Sequence, residues 1–253
     1  MLALTFAQMR RSIGRLAAAG VAIAIGTAFV AATLLASDVL KRASYDSIAA
    51  QYGQAELVVR GASTYGDSDA FTADQDQLEQ MRQIDGVAAA DPVETAYLEL
   101  HHGARSLYQA TIAVPSSPRL QPLTLSSGAF PASSTEIALP ADAAELLGVS
   151  VGDTLTEVAW LPSPADVVDV DSEVDDSVET ALTVTGIVDD PYKAYAMQGG
   201  AAVVTADTFR DRRWVDVEPT FRDIAVLLEP GADQAAVQSR LGDVVAGEDM
   251  VVT

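Results

Sequence analysis

The sequence contains no cysteine. That excludes a disulfide, a thiolate nucleophile and a Cys-ligated zinc, and leaves packing and hydrogen bonding to hold the fold. Histidine is nearly as scarce. The two present, His101 and His102, are neighbours, and on a strand their side chains point to opposite faces, which is poor for joint metal binding. Bases are few, 15 against 36 acids. Five of the bases (Arg10, Arg11, Arg15, Lys41, Arg42) fall in the first 42 residues, with Asp38 the one acid there. The remaining 211 residues carry 10 bases and 35 acids, a net of −25. A surface of that sign repels phosphate backbones and anionic lipid, which excludes nucleic acid as a partner. The phosphate loop G-x-x-x-x-G-K-[ST] and the zinc pattern H-E-x-x-H are absent, so the chain does not hydrolyse ATP by that machinery. No nucleophile elbow is assigned, and no carboxylate pair stands in a cleft-like context, which leaves an acid-based hydrolase the poorest reading. No catalytic, cofactor-binding or metal-ligating residue is assigned, and no cofactor is expected.

What the chain does have is one long apolar run, Leu16–Ala36, 21 residues without a charge. As a helix it is roughly 31 Å long, enough to cross a bilayer core. It exceeds the 7–15 residues of a signal-peptide core and reads as an uncleaved anchor. Ala18, Ala22 and Gly26 form one row of small residues, and Ala24, Ala28, Ala32 and Ala36 another, a composition suited to packing against other membrane helices. Before the run, Leu2, Phe6, Met9, Ile13 and Leu16 recur at helical spacing. They predict a short interfacial helix over 1–15, after which the chain turns into the bilayer. The arginines ahead of the span put the N-terminus in the cytoplasm, although Lys41 and Arg42 weaken the asymmetry. After the span, Leu40, Ala43, Ser47, Ile48 and Tyr52 keep a helical period up to Gly53, which predicts a stalk over 37–53.

The rest reads as α+β and extracytoplasmic. Ala55–Arg60 predicts a strand and Gly61–Phe71 a loop. Thr72 or Asp74 is set to cap a helix bearing Leu78, Met81 and Ile84, with Gly86 ending it. A strand begins at Val87, and Glu94–His101 and Ser106–Val114 form a hairpin. Further on come a strand over Glu136–Pro140, a helix over Ala141–Leu147 stopped by Gly148, a turn at Val151–Asp153 and a strand over Thr154–Trp160. Leu161–Glu179 is Pro- and acid-rich and reads as an exposed loop. Ala181–Val188, Ala201–Thr205 and Asp223–Leu228 are strands, Ala235–Val245 a helix and Asp249–Thr253 a strand. The last β-α-β echoes the one over 55–90 by element order. Within the acidic loop, Asp169, Asp171, Glu173 and Asp175 alternate in a way that can hold Ca²⁺, but Val174 and Thr180 stand where an EF-hand needs Gly and Glu. A solvated loop is the simpler reading. Tyr192, Tyr195 and Met197 lie between Asp189-Asp190-Pro191 and Gly199-Gly200, either as a partner contact or folded over their own core.

The order of elements and the stretch Ser127–Leu155 (SGAFPASSTEIALPADAAELLGVSVGDTL) carry a resemblance. Glu136-Ile137, Leu139-Pro140, Leu147-Gly148 and Gly152-Asp153 resemble the "EI-LP…LG…GD" segment of the MacB/FtsX-like ABC transporter permeases, and Thr183–Val188 their following "VVGI" strand. The resemblance implies an extracytoplasmic core of two parts, one a porter-like α/β part and one an inserted β-rich subdomain. Placed on this chain, the segments are an interfacial helix (1–15), a transmembrane helix (16–36), a stalk helix (37–53), a first porter-like half (54–120), the insertion (121–220) and a second β-α-β half (221–253). It also implies a plasma-membrane location, a cytoplasmic ABC ATPase subunit as partner, and a homodimer or second permease chain. The function it implies is ATP-driven motion of the outer domain for export or envelope signalling. Family members carry three further spans after this core, expected here from a continuation of the chain or from a partner. The competing expectation is a free-standing, membrane-anchored extracellular binding module.

Overall fold

The structure is a computed structural model and describes residues 2–61, 72–160, 177–211, 220–246 and 250–253. The chain divides into two compact units, Met1–Asp46 and Ser47–Thr253.

The first unit is nearly all of one helix, α1 (Leu2–Ala50). No proline occurs before Pro92, and Ala- and Leu-rich sequence favours the helix throughout. Its residues Ala17–Ala50 hold an 18-residue window of mean hydropathy 2.1 with no buried share, long and apolar enough to cross a membrane. Two threonine hydroxyls in this stretch are satisfied by the helix's own carbonyls. Thr27 Oγ1 donates to Ile23 O and Ala24 O at 3.0 Å each, and Thr33 Oγ1 to Phe29 O at 2.9 Å, as a lipid environment requires. The turn expected between an interfacial helix and the span does not occur, since α1 passes residues 15 and 16 unbroken. Charged residues change the solvent preference of a helix face without breaking the backbone ladder, and nothing there removes a hydrogen bond.

After α1 the elements run β1 (Leu57–Gly61), β2 (Ala73–Asp74), α2 (Gln75–Arg82), β3 (Val87–Pro92), β4 (Ala96–His102), β5 (Arg105–Ala113), β6 (Thr124–Gly128), β7 (Glu136–Pro140), α3 (Ala141–Leu147), β8 (Thr154–Trp160), β9 (Ser177–Asp189), β10 (Ala202–Val204), α4 (Ala206–Asp211), β11 (Thr220–Phe221), β12 (Asp223–Leu228), α5 (Gln234–Val244) and β13 (Met250–Val252). Of the two candidate caps, Thr72 and Asp74, it is Asp74 that caps α2, in a reciprocal capping box with Gln77, and Gly148 ends α3 with φ 70°.

Four strands form an antiparallel sheet in the order β13-β1-β12-β3. In chain order that is 4-1-3-2, so each β-α-β leaves a gap between its two strands that a strand of the other β-α-β fills. The echo of element order in the sequence therefore corresponds to two interlocked units. Leu57, Val59, Ile224 and Val226 face α2 and α5, meeting Leu78, Met81, Val237 and Leu241. The other face carries Val58, Ala225 and Leu227, covered by Tyr52 and Leu120. Burial on both faces explains why β12 reads as a continuous apolar run rather than an alternation.

The second sheet has the order β6-β9-β7-β10-β5-β4-β8, and β8 pairs with β9 as well. Six strands thus close into a ring, with β6 attached to the outer stretch of β9. Leu98, Leu100, Ile137, Leu139, Leu155, Leu182 and Val184 fill the interior with Ala144 and Leu147 of α3 and Phe209 of α4. The β4–β5 hairpin belongs to this ring, so residue 120 falls between β5 and β6, two strands of the same sheet. Alternation identifies a strand but not its partners, and β4 and β5 pair with β8 and β10, far along the chain. β9 begins at Ser177, where an exposed loop was expected to run to Glu179, and the rest of that loop lies outside the described residues. β6 escaped the sequence reading because Thr124–Gly128 is exposed throughout and has no apolar period.

Candidate functional site at the foot of the long helix

Where α1 ends, Ser47–Gln54 lies against both sheets. Ser47 Oγ donates to Lys193 O, and Gln51 Nε2 donates to Ala194 O at 2.8 Å. Ala50 packs on the cluster of Ala194, Tyr195 and Val203 that covers one side of the strand ring. Two residues on, Tyr52 turns to the other sheet. Its ring packs with Leu120, Ala225 and Leu227, and its hydroxyl lies between Arg60 and Asp223. Arg60 Nε donates to Asp223 Oδ1 at 3.0 Å, and its guanidinium sits 5.3 Å from the Tyr52 ring centre, within cation–π range. Burial and the Asp223 charge push the Tyr52 phenol above its usual pKa.

The turn after Tyr52 needs its glycine. Gly53 has φ 59°, and a Cβ there would stand 2.7 Å from the Leu120 carbonyl. Gln54 N donates to Arg119 O at 2.8 Å, and Arg119 Nη2 bonds Glu56 Oε1 at 2.9 Å. Asp190 supports the opposite side of the foot, accepting from Ala194 N at 2.8 Å and Tyr195 N at 2.7 Å. Tyr195 is 2% exposed, and burial raises its pKa strongly, with Asp190 adding to the effect.

The chain crosses between the sheets close to the foot. Pro92–Thr95 leads into β4, and Val114–Ser117 leads back. Asp91, 8% exposed, ties the two crossings together: its Oδ2 accepts from Ser116 N at 2.8 Å and Ser116 Oγ at 2.6 Å, and its Oδ1 from Arg82 Nη2 at 3.3 Å. A cavity lies on each side of this neck. One, of about 80 Å³, is bounded by Arg82, Glu94, Phe209 and Phe221. The other, of about 30 Å³, is bounded by Gln51, Ile112, Leu120 and Tyr195.

The residues singled out in the sequence separate in space. His101 Nε2 lies 2.7 Å from Glu99 Oε1, while His102 Nδ1 reaches Leu147 O at 3.1 Å, on the opposite side of β4. In the loop over 190–200, Tyr195 is buried in its own core, whereas Tyr192 and Met197 are 71% and 96% exposed. Asp169, Asp171, Glu173 and Asp175 lie outside the described residues. Gly148-Val149-Ser150-Val151-Gly152 does carry the G-x-S-x-G spacing, a match missed when no elbow was assigned. It joins a helix to a strand, the reverse of the strand-to-helix elbow, and Ser150 N simply bonds Asp153 Oδ2 at 2.8 Å. In the sequence the foot residues are legible as the end of a helical period through Ser47 and Tyr52 and as a stop at Gly53. Their contacts come from residues 60, 119, 193–194 and 223, which no local pattern links to them.

A family model described as the MacB-like periplasmic core domain matches residues 17–244. The chain belongs to that family. Its MacB-like fold is seen in two solved structures. The periplasmic region of MacB from Actinobacillus actinomycetemcomitans is similar at 12% identity and TM-score 0.53, over 80% of this chain and 90% of that one. The extracellular domain of the noncanonic ABC-type transporter YknZ from Gram-positive bacteria is similar at 10% identity and TM-score 0.52, over 78% and 98%. No curated protein sequence matches the chain. The matched region begins within an apolar helix long enough and apolar enough to cross a membrane.

Proposed function

We propose that this chain is the anchor and outer domain of an ABC permease that works mechanically. A cytoplasmic ATPase subunit moves α1 and its membrane neighbours, and the outer domain turns that motion into export or envelope signalling. In this reading α1 spans the plasma membrane with its N-terminus in the cytoplasm. The four-stranded sheet with α2 and α5 is the porter-like part, and residues 96–204 are the inserted β-rich part. The small-residue rows of α1 pack against further spans, supplied by a second copy or another permease chain.

The observation that carries the reading is the helix foot. Ser47 and Gln51 bond the loop that covers the strand ring, Ala50 packs on the cluster beneath it, and Tyr52 engages the four-stranded sheet. A mere tether has no need of attachment to both. A lever needs it, because a displacement at one attachment alone is lost in side-chain motion. Fixed contacts on both sheets, beside the neck that joins them, let a push or twist of the helix change the angle between the two parts.

The test is affinity purification of the full chain from native membranes in mild detergent. An ABC ATPase subunit that co-purifies, with ATPase activity altered by Tyr52→Ala, supports the proposal. A chain that comes out alone under cross-linking conditions sinks it in favour of a free-standing binding module.

A further inference from the structure

Among the described residues, a core cluster covers the outer wall of the strand ring on one side. Over β7, β10, the second half of β5 and the end of β9, the outward residues Ala138, Val203, Ile112 and Val188 are buried beneath Leu123, Ala194 and Tyr195. Around the ring from there, the outward residues of β5, β4, β8 and β9 stand in register as Tyr108, Glu99, Val158 and Glu179. Tyr97 and His101 flank Glu99 on the same face of β4, two residues away in either direction. Tyr97 and Tyr108 are 61% and 65% exposed. A strand face that only meets water alternates to polar residues, and two exposed rings side by side depart from that in a chain with 6% aromatic residues. The group is also held in place. Tyr108 Oη donates to Glu99 Oε2 at 2.6 Å, and His101 Nε2 lies 2.7 Å from Glu99 Oε1.

We infer that this face is a docking surface for an extended, arginine-bearing segment of a partner protein. Tyrosine faces accept guanidinium groups by stacking and cation–π attraction, and carboxylates accept them through charge-assisted hydrogen bonds. A fixed tyrosine offers its area at little entropic cost. Charge sets the sign of the partner. Glu179 is the exposed carboxylate of the register row, Glu99 adds its charge while its oxygens hold Tyr108 and His101, and residues 43–253 carry a net charge of −25, so a basic segment is steered in and an acidic one repelled. The surface does not depend on coupling to an ATPase and serves a transporter domain or a free-standing anchored module equally.

The test uses the full chain in nanodiscs of zwitterionic lipid, with a fluorescein-labelled ten-residue Arg-Ser repeat as the probe, read by fluorescence anisotropy at physiological salt. The expected result is saturable binding that weakens by about fivefold or more in Tyr97→Ser/Tyr108→Ser, which leaves every charge in place. Tyr108→Phe, which keeps the ring, and Tyr192→Ser, an exposed tyrosine elsewhere, stay within about twofold of the parent. Hydrogen exchange on the unaltered chain gives a second readout that needs no variant to fold: the peptide protects β4, β5 and β8 above the rest. Absence of binding, a smaller loss in the double variant, an equal loss in Tyr192→Ser, or protection spread evenly over the acidic surface each overturns the assignment and leaves diffuse attraction only.

Discussion

Gly53 and Tyr195 set what the helix foot tolerates. Gly53 combines a left-handed φ of 59° with a Leu120 carbonyl where a Cβ would go. Gly53→Ala therefore costs about 2 kcal/mol from backbone strain and displacement together. Gly242→Ala, inside α5 with open space around it, is expected to be neutral or stabilising by up to about 1 kcal/mol. Urea denaturation of the two variants checks the contrast, and equal effects contradict the packing described at residue 53. Tyr195 supplies a pH dependence. Its folded pKa, like that of Tyr52, is raised. Below pH about 10 the phenol is protonated in both folded and unfolded chains, and it contributes no slope. Above that, the unfolded chain loses the proton first, so stability falls as pH rises toward the folded value. The melting temperature is expected to drop between pH 9.5 and 11.5, less steeply in Tyr195→Phe. A parallel drop in parent and variant shows that Tyr195 is not the group responsible.

Among the elements, α5 and α1 make separate demands. α5 begins at Asp233, whose carboxylate accepts from Ala235 N at 3.0 Å and Ala236 N at 3.2 Å. Asp233→Ala is expected to cost about 1 kcal/mol, measurable as a lower urea midpoint with an unchanged slope. For α1 the issue is continuity. The helix has no break up to Ala50, and its end is bonded to the domain at Ser47 and Gln51. Six Gly-Ser residues inserted between Ser44 and Tyr45 interrupt the lever without touching the foot. On the proposed mechanical reading, the expected outcome is a folded protein that still co-purifies with an ATPase subunit and has lost transport or signalling output. Retained output shows that α1 serves as a tether and removes the mechanical reading.

At the scale of the whole molecule, the proposed mechanical reading puts the working motion at the neck. Asp91 ties the two crossings there, and a cavity lies on either side. The absence of cysteine makes this testable with a unique cross-link. Gln75, preceded by β2 and opening α2, and Ala206, opening α4, line the same cavity. On the same proposed reading, changing both to cysteine and joining them with a short bis-maleimide is expected to abolish output while leaving association with an ATPase subunit intact. A longer, flexible reagent restores part of it. Full activity with the short link in place places the working motion elsewhere.

The sequence by itself determined the elements whose causes are local. The 21-residue apolar run required a helix of bilayer length, Asp74 and Gly148 marked the ends of α2 and α3, and the EIALP-to-GD stretch carried the family resemblance. Hydrophobic period, capping chemistry and left-handed glycine positions act within a few residues, so they show in the order of letters. Only the tertiary structure decided partnership. It assigned the β4–β5 hairpin to the ring through β8 and β10, interlocked the two β-α-β units as 4-1-3-2, and brought Arg60 and Asp223 to Tyr52. It also left Tyr97 and Tyr108 bare while burying Tyr195, three tyrosines that look alike in sequence. Strand pairing and burial are set by what else competes for the same face, often a hundred residues away, and alternation within a strand carries no information about which neighbour wins.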